Sequence, residues 1–380
     1  MNIYPHAIVI DLGTTTVTAA AIDAGGNILM QTNEMNAQHI FDTDVISRLQ
    51  SAASGKLSNL CDLIRTQINK MCRNLLNGQR IENTVIVGNT IVLHLLFGAK
   101  CEGLGRFPYT PDFLHARQKP GVFFGWDWTD SVYTPPCLHA FCGADITAGL
   151  LTLTNMPKPY MLADLGTNAE LALITDSGLF VTSAAAGPVF EGAGISCGMP
   201  ALPGAIYSFS LMGNRARVTT IDGIEPIGIC ASGLIDLLAE LRRTYRLSTD
   251  GRLTESYKIT SKLSINQVDV RAFQLAKAAV AAGIQLLCKH ANVSVNELNI
   301  AVSGALGSAL NFKNAARLGL LFNSSGAIGN SALQGGIHYA LSPKLREYAE
   351  NFTKCGEYVD LSLMPEFQQT LLDNINFPDA

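Results

Sequence analysis

Charge is scarce in this chain of 380 residues, because only 15% of them are Asp, Glu, Lys or Arg. The 27 basic side chains do not outnumber the 31 acidic ones, and the net charge is −4. Neutralising many phosphates requires a basic excess, so this balance argues against nucleic acid as the main partner. A hydrophobic share of 48% excludes a disordered chain, and the length predicts two or three domains.

Long apolar runs are also lacking. A membrane-spanning helix needs about 20 apolar residues, and the longest run here, 276–287, is interrupted by Lys277 and Gln285. The first residues, MNIYPHAIVIDLG, have no basic region ahead of their apolar run and do not predict a signal peptide. We therefore expect a cytoplasmic protein that does not cross a membrane.

The nine cysteines include no Cys-x-x-Cys pair and no Cys/His cluster at zinc spacing. Cys137 and Cys142 have the spacing that opens a plant-type [2Fe–2S] site, but no cysteine follows two residues later to continue it. The pattern predicts reduced, mostly buried thiols and no iron–sulfur cluster in this chain.

An internal repeat is the main feature that is present. When residues 7–33 are laid over 160–186, the residues of the two turns coincide: Asp11, Gly13, Thr14, Asp23 and Gly25 fall on Asp164, Gly166, Thr167, Asp176 and Gly178. Each copy is an apolar strand, an Asp-Leu-Gly-Thr turn, a second strand, a tight Asp-x-Gly turn and a third strand. Residues 85–96 and 300–310 correspond more loosely, as strand, turn and helix. The repeat predicts two similar lobes rather than a solenoid.

The hydrophobic pattern gives the predicted organisation of these lobes. Each lobe is expected to contain a mixed five-stranded sheet with flanking helices. Residues 99–136, rich in Pro, Gly and aromatic side chains, predict irregular structure. Three segments are predicted: 1–157 as the first lobe, 158–330 as the second, and 331–380 as C-terminal helices and a strand that pack back on the lobes.

The Asp-Leu-Gly-Thr turns carry the chemistry. Such a turn places a carboxylate at a strand end, with backbone N–H groups and hydroxyls in the hairpin after it. Amides and hydroxyls can hold a phosphate while the carboxylate holds Mg²⁺. A single copy is also an ordinary hairpin connection, whereas two copies in register predict a clamp on one triphosphate. The candidate residues are Asp11, Gly13, Thr14, Thr15 and Thr16 in the first turn and Asp164, Gly166, Thr167 and Asn168 in the second, with Asp11 and Asp164 as metal ligands.

With these motifs the chain resembles the actin, sugar kinase and heat-shock-chaperone ATPase superfamily. More narrowly, it resembles the ATPase domain of reductive activators of corrinoid proteins. The segments that carry this narrower resemblance are DLGTTTVTAA (11–20), FDTDVISRLQ (41–50), VGNTIVLHLLFG (87–98), GADITAGLL (143–151), DLGTNAELAL (164–173), AAAGPVFEGAGISCGMPALPGAI (184–206), GICASGLIDLLAEL (228–241), DVRAFQLAKAAVAAGI (269–284) and EYVDLSLMPEFQ (357–368). The resemblance implies an α/β, two-lobe actin-like ATPase fold with duplicated ribonuclease-H-like lobes that bind ATP and Mg²⁺.

The resemblance also implies a function in cobalamin metabolism. Binding or hydrolysis of ATP would drive lobe closure and the reduction of cob(II)amide to cob(I)amide on a methyl-carrier corrinoid protein. Family members that do redox work carry a ferredoxin-like domain, which this sequence lacks, so we expect a separate ferredoxin-like electron donor. Two alternatives remain: a non-enzymatic nucleotide-dependent switch, and a small-molecule kinase on the same fold. The oligomeric state stays open, a homodimer included.

Further site residues follow from the resemblance. Asp145 lies where the superfamily orients the attacking water and is a candidate general base; the alternative is that it caps the following helix. Ser303 and Gly304 belong to a segment that resembles the adenosine motif. Gly187 belongs to a glycine-rich loop that allows close approach of a ligand. Glu191, in the same loop, either reaches a metal or partner or is a solvated turn residue.

Overall fold

The computed structural model describes residues 4–41, 45–213, 215–322 and 326–379. Residues 42–44, inside the motif at 41–50, lie outside this described part of the chain. Two compact units are present, neither of them continuous in sequence. Unit 1 comprises residues 1–155 and 330–358, and unit 2 comprises residues 156–329 and 359–380. The predicted third segment, 331–380, is therefore shared between the two units.

The elements are numbered in chain order. The strands are β1 (Ala7–Leu12), β2 (Thr16–Ile22), β3 (Ile28–Met35), β4 (Ile81–Gly88), β5 (Arg117–Pro120), β6 (Thr129–Thr134), β7 (Tyr160–Leu165), β8 (Ala169–Ile174), β9 (Leu179–Ala184), β10 (Ala205–Met212), β11 (Arg215–Thr220), β12 (Gly228–Ile229), β13 (Tyr257–Lys258), β14 (Ser264–Ile265), β15 (Asn299–Ser303), β16 (Gly326–Ala327) and β17 (Gly356–Tyr358). The helices are α1 (Val45–Ser51), α2 (Leu57–Leu76), α3 (Thr90–Phe97), α4 (Ala144–Leu151), α5 (Ala231–Arg243), α6 (Gln267–His290), α7 (Gly304–Ala309), α8 (Phe312–Arg317), α9 (Ser331–Leu341), α10 (Pro343–Lys354) and α11 (Phe367–Asp373).

Unit 1 is built on a six-stranded mixed sheet in the order β3-β2-β1-β4-β6-β5. Strands β1, β2 and β3 form the predicted antiparallel meander. Strand β4 runs parallel to β1, and β6 runs parallel to β4. Five residues of β1 are buried, as expected for the central strand of a sheet covered on both faces.

The prediction of irregular structure over 99–136 is wrong in part, because β5 and β6 lie in this range. The sheet of the first lobe therefore has six strands and not the predicted five. Strand β5 pairs antiparallel with β6 at the edge of the sheet. Its sequence, Arg-Gln-Lys-Pro, is polar and ends in proline, which is tolerated on an edge strand but hides the strand from hydrophobic pattern analysis. Trp126 and Trp128, between these strands, are buried, and their indole N–H groups donate to Arg65 O and Asn69 Oδ1.

Helix α2 covers one face of this sheet, over the predicted residues 57–76. Its buried side chains recur every three or four residues, so they form one apolar stripe. The helix ends at Asn77, whose φ of 46° is left-handed and stops the helical path. The buried stripe includes Leu60, Ile64, Ile68, Met71 and Leu75.

Unit 2 contributes five strands to its main sheet, in the order β16-β15-β7-β8-β9. Strands β7, β8 and β9 are antiparallel, and β15 is parallel to β7. A second sheet, β11-β10-β12, and the pair β13-β14 complete the unit. Helix α6 begins with a capping box between Asn266 and Asp269 and is long and apolar enough to cross a membrane, but 78% of its most apolar window is buried. It is thus a core helix of unit 2.

The two meanders confirm the repeat and reveal a difference of one residue between them. In unit 1, Leu12 pairs with Val17, which leaves four residues in the turn. In unit 2, Leu165 pairs with Ala169, which leaves three. The looser correspondence is also confirmed, because β4–α3 and β15–α7 each supply a strand parallel to the central strand and a helix after it. The copies share a topology but not an identical turn.

The C-terminal segment of unit 2 is anchored on α6 by a buried amine. Lys277 is only 1% exposed, and its ammonium group donates to Asn376 O. Gln274 Nε2 donates to Ile375 O at 3.0 Å, and the Phe377 ring is buried beside them. Burial lowers the pKa of Lys277 to about 8. The protonated form of Lys277 therefore destabilises the folded state, because its ammonium group exchanges water for the Asn376 carbonyl and the Phe377 ring.

We expect the free energy of unfolding of the wild type to rise by roughly 2–3 kcal/mol relative to Lys277→Met between pH 8 and 10.5. In this window the folded protein has lost the proton of Lys277 while the unfolded chain still holds it, so stability increases with pH. Urea unfolding at several pH values measures the difference. The control is Lys344→Met on exposed α10. Parallel pH profiles for wild type and Lys277→Met would contradict this expectation.

Candidate functional site

The turn between β1 and β2 lies at the carboxyl end of the central strand of unit 1. The Gly13 N–H donates to Thr16 O at 3.0 Å. A Cβ on Gly13 would lie 2.7 Å from that same oxygen, so the turn closes only around glycine. Thr15 and Thr16 are exposed. The predicted phosphate-binding residues of the first turn are therefore held in a compact loop that water reaches.

A buried asparagine holds this turn from behind. Asn36 is fully buried just beyond β3. Its Nδ2 donates to Gly13 O at 2.9 Å, and its backbone N–H donates to Thr15 O at 2.9 Å. Its Oδ1 accepts from the Gln38 N–H at 3.0 Å. Asn36 thereby satisfies carbonyl groups of the turn from the protein side.

The starts of α3 and α4 lie beside this turn, and an asparagine cap and a close backbone approach fix them there. Asn89 caps α3 by accepting from the Val92 N–H at 3.0 Å, and its Nδ2 donates to Thr14 Oγ1 at 3.0 Å. A Cβ on Gly143 would lie 2.4 Å from Asn89 Cα, so α4 begins directly against the β4–α3 connection. Thr14, Asn89 and the start of α4 are consequently neighbours.

Asp145 lies in the first turn of α4 and does not cap the helix. The cap position belongs to Gly143, and no side chain accepts a hydrogen bond there. Asp145 Oδ1 accepts from the adjacent Ile146 N–H at 2.9 Å. The capping alternative is therefore wrong, while a carboxylate at this end of a helix is favoured by the helix dipole. The candidate general base follows closely on the glycine that contacts Asn89.

Asp11 is the candidate carboxylate of β1 and is partly buried. Its Oδ2 accepts from Asn330 Nδ2 at 2.7 Å, and Asn330 in turn caps α9 by accepting from the Leu333 N–H at 2.8 Å. Burial raises the pKa of Asp11 to about 6, although the hydrogen bond from Asn330 acts in the opposite direction. A carboxylate whose charge is poorly solvated gains from a nearby cation.

The turn of unit 2 is held differently, by a carboxylate. The Gly166 N–H donates to Asn168 O at 3.0 Å. Glu191 Oε1 accepts from both the N–H and the hydroxyl of Thr167, at 2.9 and 2.8 Å. The Gly187 N–H donates to Thr167 O at 2.9 Å. The interpretation of Glu191 as a merely solvated turn residue is wrong, because it binds the second turn.

The remaining predicted residues of unit 2 meet at the ends of two neighbouring strands. Ser303 on β15 lies opposite Asp164 on β7 in parallel register. Gly304 has a φ of 82°, its N–H donates to Gly329 O at 2.8 Å, and a Cβ on it would lie 3.4 Å from Asp164 Oδ1. The sequence-predicted site residues thus form one group in each unit, around Asp11 and around Asp164.

With this geometry in view, comparison with known proteins identifies the family. A family model for the RACo middle region matches residues 6–158, and one described as the C-terminal domain of RACo, the ASKHA domain, matches residues 158–380. The chain belongs to the RACo family. The RACo match includes both groups of site residues and confirms the predicted actin-like ATPase fold. It also confirms the narrower resemblance to reductive activators of corrinoid proteins.

Individual RACo-like proteins extend this finding. A corrinoid activation enzyme, RamQ, from Eubacterium limosum is 29% identical over 98% of this chain and 70% of its own length. A [Co(II) methylated amine-specific corrinoid protein] reductase from Methanosarcina barkeri is 26% identical over 83% of this chain and 65% of its own. A solved reductive activator for corrinoid, iron-sulfur protein superposes with a TM-score of 0.87 at 28% identity, over 100% of this chain and 67% of that one. The chain spans about two thirds of the length of these relatives.

Sequence reasoning missed three residues that shape the site. Asn89 and Asn330 each precede a helix and have the residue type that commonly caps one, so their capping was within reach of the sequence. The contact of Asn89 with Thr14 and that of Asn330 with Asp11 could not be predicted, because the partners are 75 and 319 positions apart in the sequence. Asn36 gives no local signal of its role. Glu191 and Thr167 were both noted, but the hydrogen bonds between them were not predicted.

We expect Asn36→Ala to lower the free energy of unfolding by about 1–3 kcal/mol, since it leaves the partly buried Gly13 carbonyl without its donor. The same change should lower the affinity of any ligand that binds the β1–β2 turn, because the turn loses its fixed shape. Urea unfolding measures the first effect. Asn33→Ala, on exposed β3, is the matched control. Equal stability of the two variants would show that Asn36 does not hold the turn.

Proposed function

We propose that this chain binds Mg-ATP through its two Asp-Leu-Gly-Thr turns and uses the nucleotide in the reductive reactivation of a corrinoid protein. The observation that carries the proposal is the duplicated turn, found at the carboxyl end of a central strand in each unit of a RACo family member. Exposed hydroxyls and backbone N–H groups in such turns are suitable donors to phosphate oxygens. In this proposal Ser303, Gly304 and Gly187 lie along the adenosine and phosphate portions.

The carboxylates suit a magnesium ion. Mg²⁺ prefers oxygen ligands and is commonly held by one or two carboxylates together with substrate phosphates. Asp11 is a desolvated carboxylate with a raised pKa, so a divalent cation would offset the cost of its charge. In the proposal Asp11 and Asp164 hold Mg²⁺, which neutralises charge on the phosphates when bound.

The corrinoid partner is inferred from the relatives. Two of them are named for corrinoid activation and corrinoid protein reduction, and a third is a reductive activator. Reduction of cob(II)amide needs one electron, and we propose that a separate ferredoxin-like protein supplies it. ATP-dependent closure would provide the two-state element that such coupling requires. No disulfide joins the described cysteines, in keeping with a cytoplasmic protein.

We expect Asp11→Ala and Asp164→Ala each to weaken Mg-ATP binding at least tenfold while the protein stays folded, because each removes a metal-binding carboxylate. Isothermal titration calorimetry with and without Mg²⁺ measures the effect, and thermal unfolding verifies the fold. Asp176→Ala, at an exposed turn of the repeat, is the control. Unchanged Mg²⁺-dependent affinity in both variants would contradict the assignment of the turns.

Asp145→Asn should lower kcat for ATP hydrolysis by roughly 10²-fold or more at similar nucleotide affinity, because a general base acts mainly in the transition state. A phosphate-release assay beside calorimetry separates the two quantities. A rise in Kd with unchanged kcat would instead make Asp145 a binding residue. Unchanged kcat and Kd would remove it from the site.

We expect the chain to contain no stoichiometric iron and to require an added low-potential donor for corrinoid reduction. Within the described residues, no group of three or more His, Cys, Asp or Glu side chains is placed to hold a metal ion. Burial, as the main cause, raises the pKa of Cys137 to about 12, which disfavours the thiolate that a cluster needs. Iron analysis of anaerobically purified protein tests this, and two or four irons per chain would contradict it.

A further inference from the structure

The two turns differ in what occupies their hydrogen-bond donors. In unit 1, Thr14 Oγ1 accepts from the neutral amide of Asn89, which leaves the hydroxyl hydrogen for another acceptor. In unit 2, the N–H and the hydroxyl of Thr167 both donate to one oxygen of the Glu191 carboxylate. An anion of this chain thus occupies the donors that a phosphate oxygen would use.

The carboxylate resembles a phosphoryl oxygen in the relevant respects. It is a charged oxygen acceptor at 2.8–2.9 Å, and hydrogen bonds to ionised acceptors are stronger than those to neutral ones. Glu191 Oε1 also lies 3.4 Å from where a Cβ on Gly166 would be, so it sits closely over the turn. A phosphate oxygen and this carboxylate cannot share the position.

The backbone around Glu191 favours movement of its side chain over movement of the loop. Residues 188–191 form a single tight helical turn between Gly187 and Gly192, which have φ values of 77° and 82°. A Cβ on Gly192 would lie 2.0 Å from Met199 O, so the loop is packed tightly at this end. Glu191 itself is only partly buried, so its side chain borders on solvent.

We infer that Glu191 competes with the nucleotide for Thr167, so that its carboxylate lowers nucleotide affinity and withdraws when a phosphate group binds. The inference rests on the proposed function, because it requires a nucleotide at the second turn. Withdrawal costs the two hydrogen bonds to Thr167, and the carboxylate also repels an approaching phosphate. A residue that only braced the turn would have the opposite effect, since its loss would weaken binding.

Calorimetry with Mg-ATP on the full chain tests the sign of the effect. Glu191→Gln keeps an acceptor oxygen but removes the charge, and we expect its Kd to fall about tenfold, or about 1.4 kcal/mol. Glu191→Ala removes the competitor altogether and should also bind more tightly than the wild type. The control is Glu225→Gln, which makes the same charge change at an exposed ion pair of unit 2.

The outcomes separate this inference from the proposed function. Wild-type binding with an equal or higher Kd in both Glu191 variants would overturn the competition alone. Binding by the Glu191 variants but not by the wild type or Glu225→Gln would support it in its strongest form. Absence of binding by every protein, with thermal unfolding showing that each is folded, would overturn the proposed function and this inference with it.

Discussion

In both units the position of the candidate site is set by a hairpin that closes just after the aspartate of a central strand. In unit 1 the closure is so tight that a Cβ on Gly13 would strike Thr16 O. The strand before the turn is buried and cannot shift without moving the core. The aspartate and the turn therefore have fixed positions relative to the sheet, which is what a metal and phosphate site needs.

The duplicated turns are not equivalent in their surroundings. Neutral amides, from Asn36 and Asn89, hold the first turn, and Asn330 holds its aspartate. A carboxylate and a backbone N–H hold the second turn, which is one residue shorter. In the proposed function the first turn is ready to donate to phosphate, whereas the second must exchange one anion for another. The two copies thus share a topology, while the side chains that hold their turns differ.

Much of this fold was predictable, because repeated motifs and hydrophobic periodicity are local properties of the sequence. Helix α2, the meanders and the strand–turn–helix correspondence follow from such patterns. Strand β5 did not, since an edge strand of polar residues has no hydrophobic signature. The shorter second turn was also hidden, because an ungapped repeat shows identities and not pairing register. The contact of Asn330 with Asp11 spans 319 positions and arises only from the tertiary fold. Local patterns therefore identified the candidate residues, and long-range packing supplied the residues that position them.

We propose that the two turns bind one nucleotide, and the stoichiometry of binding tests this most directly. Titration of the purified chain with Mg-ATP, with the protein concentration fixed by quantitative amino-acid analysis, gives the number of sites. We expect one Mg-ATP per chain. Two sites per chain, one for each turn, would contradict it, as would the absence of any saturable Mg²⁺-dependent binding.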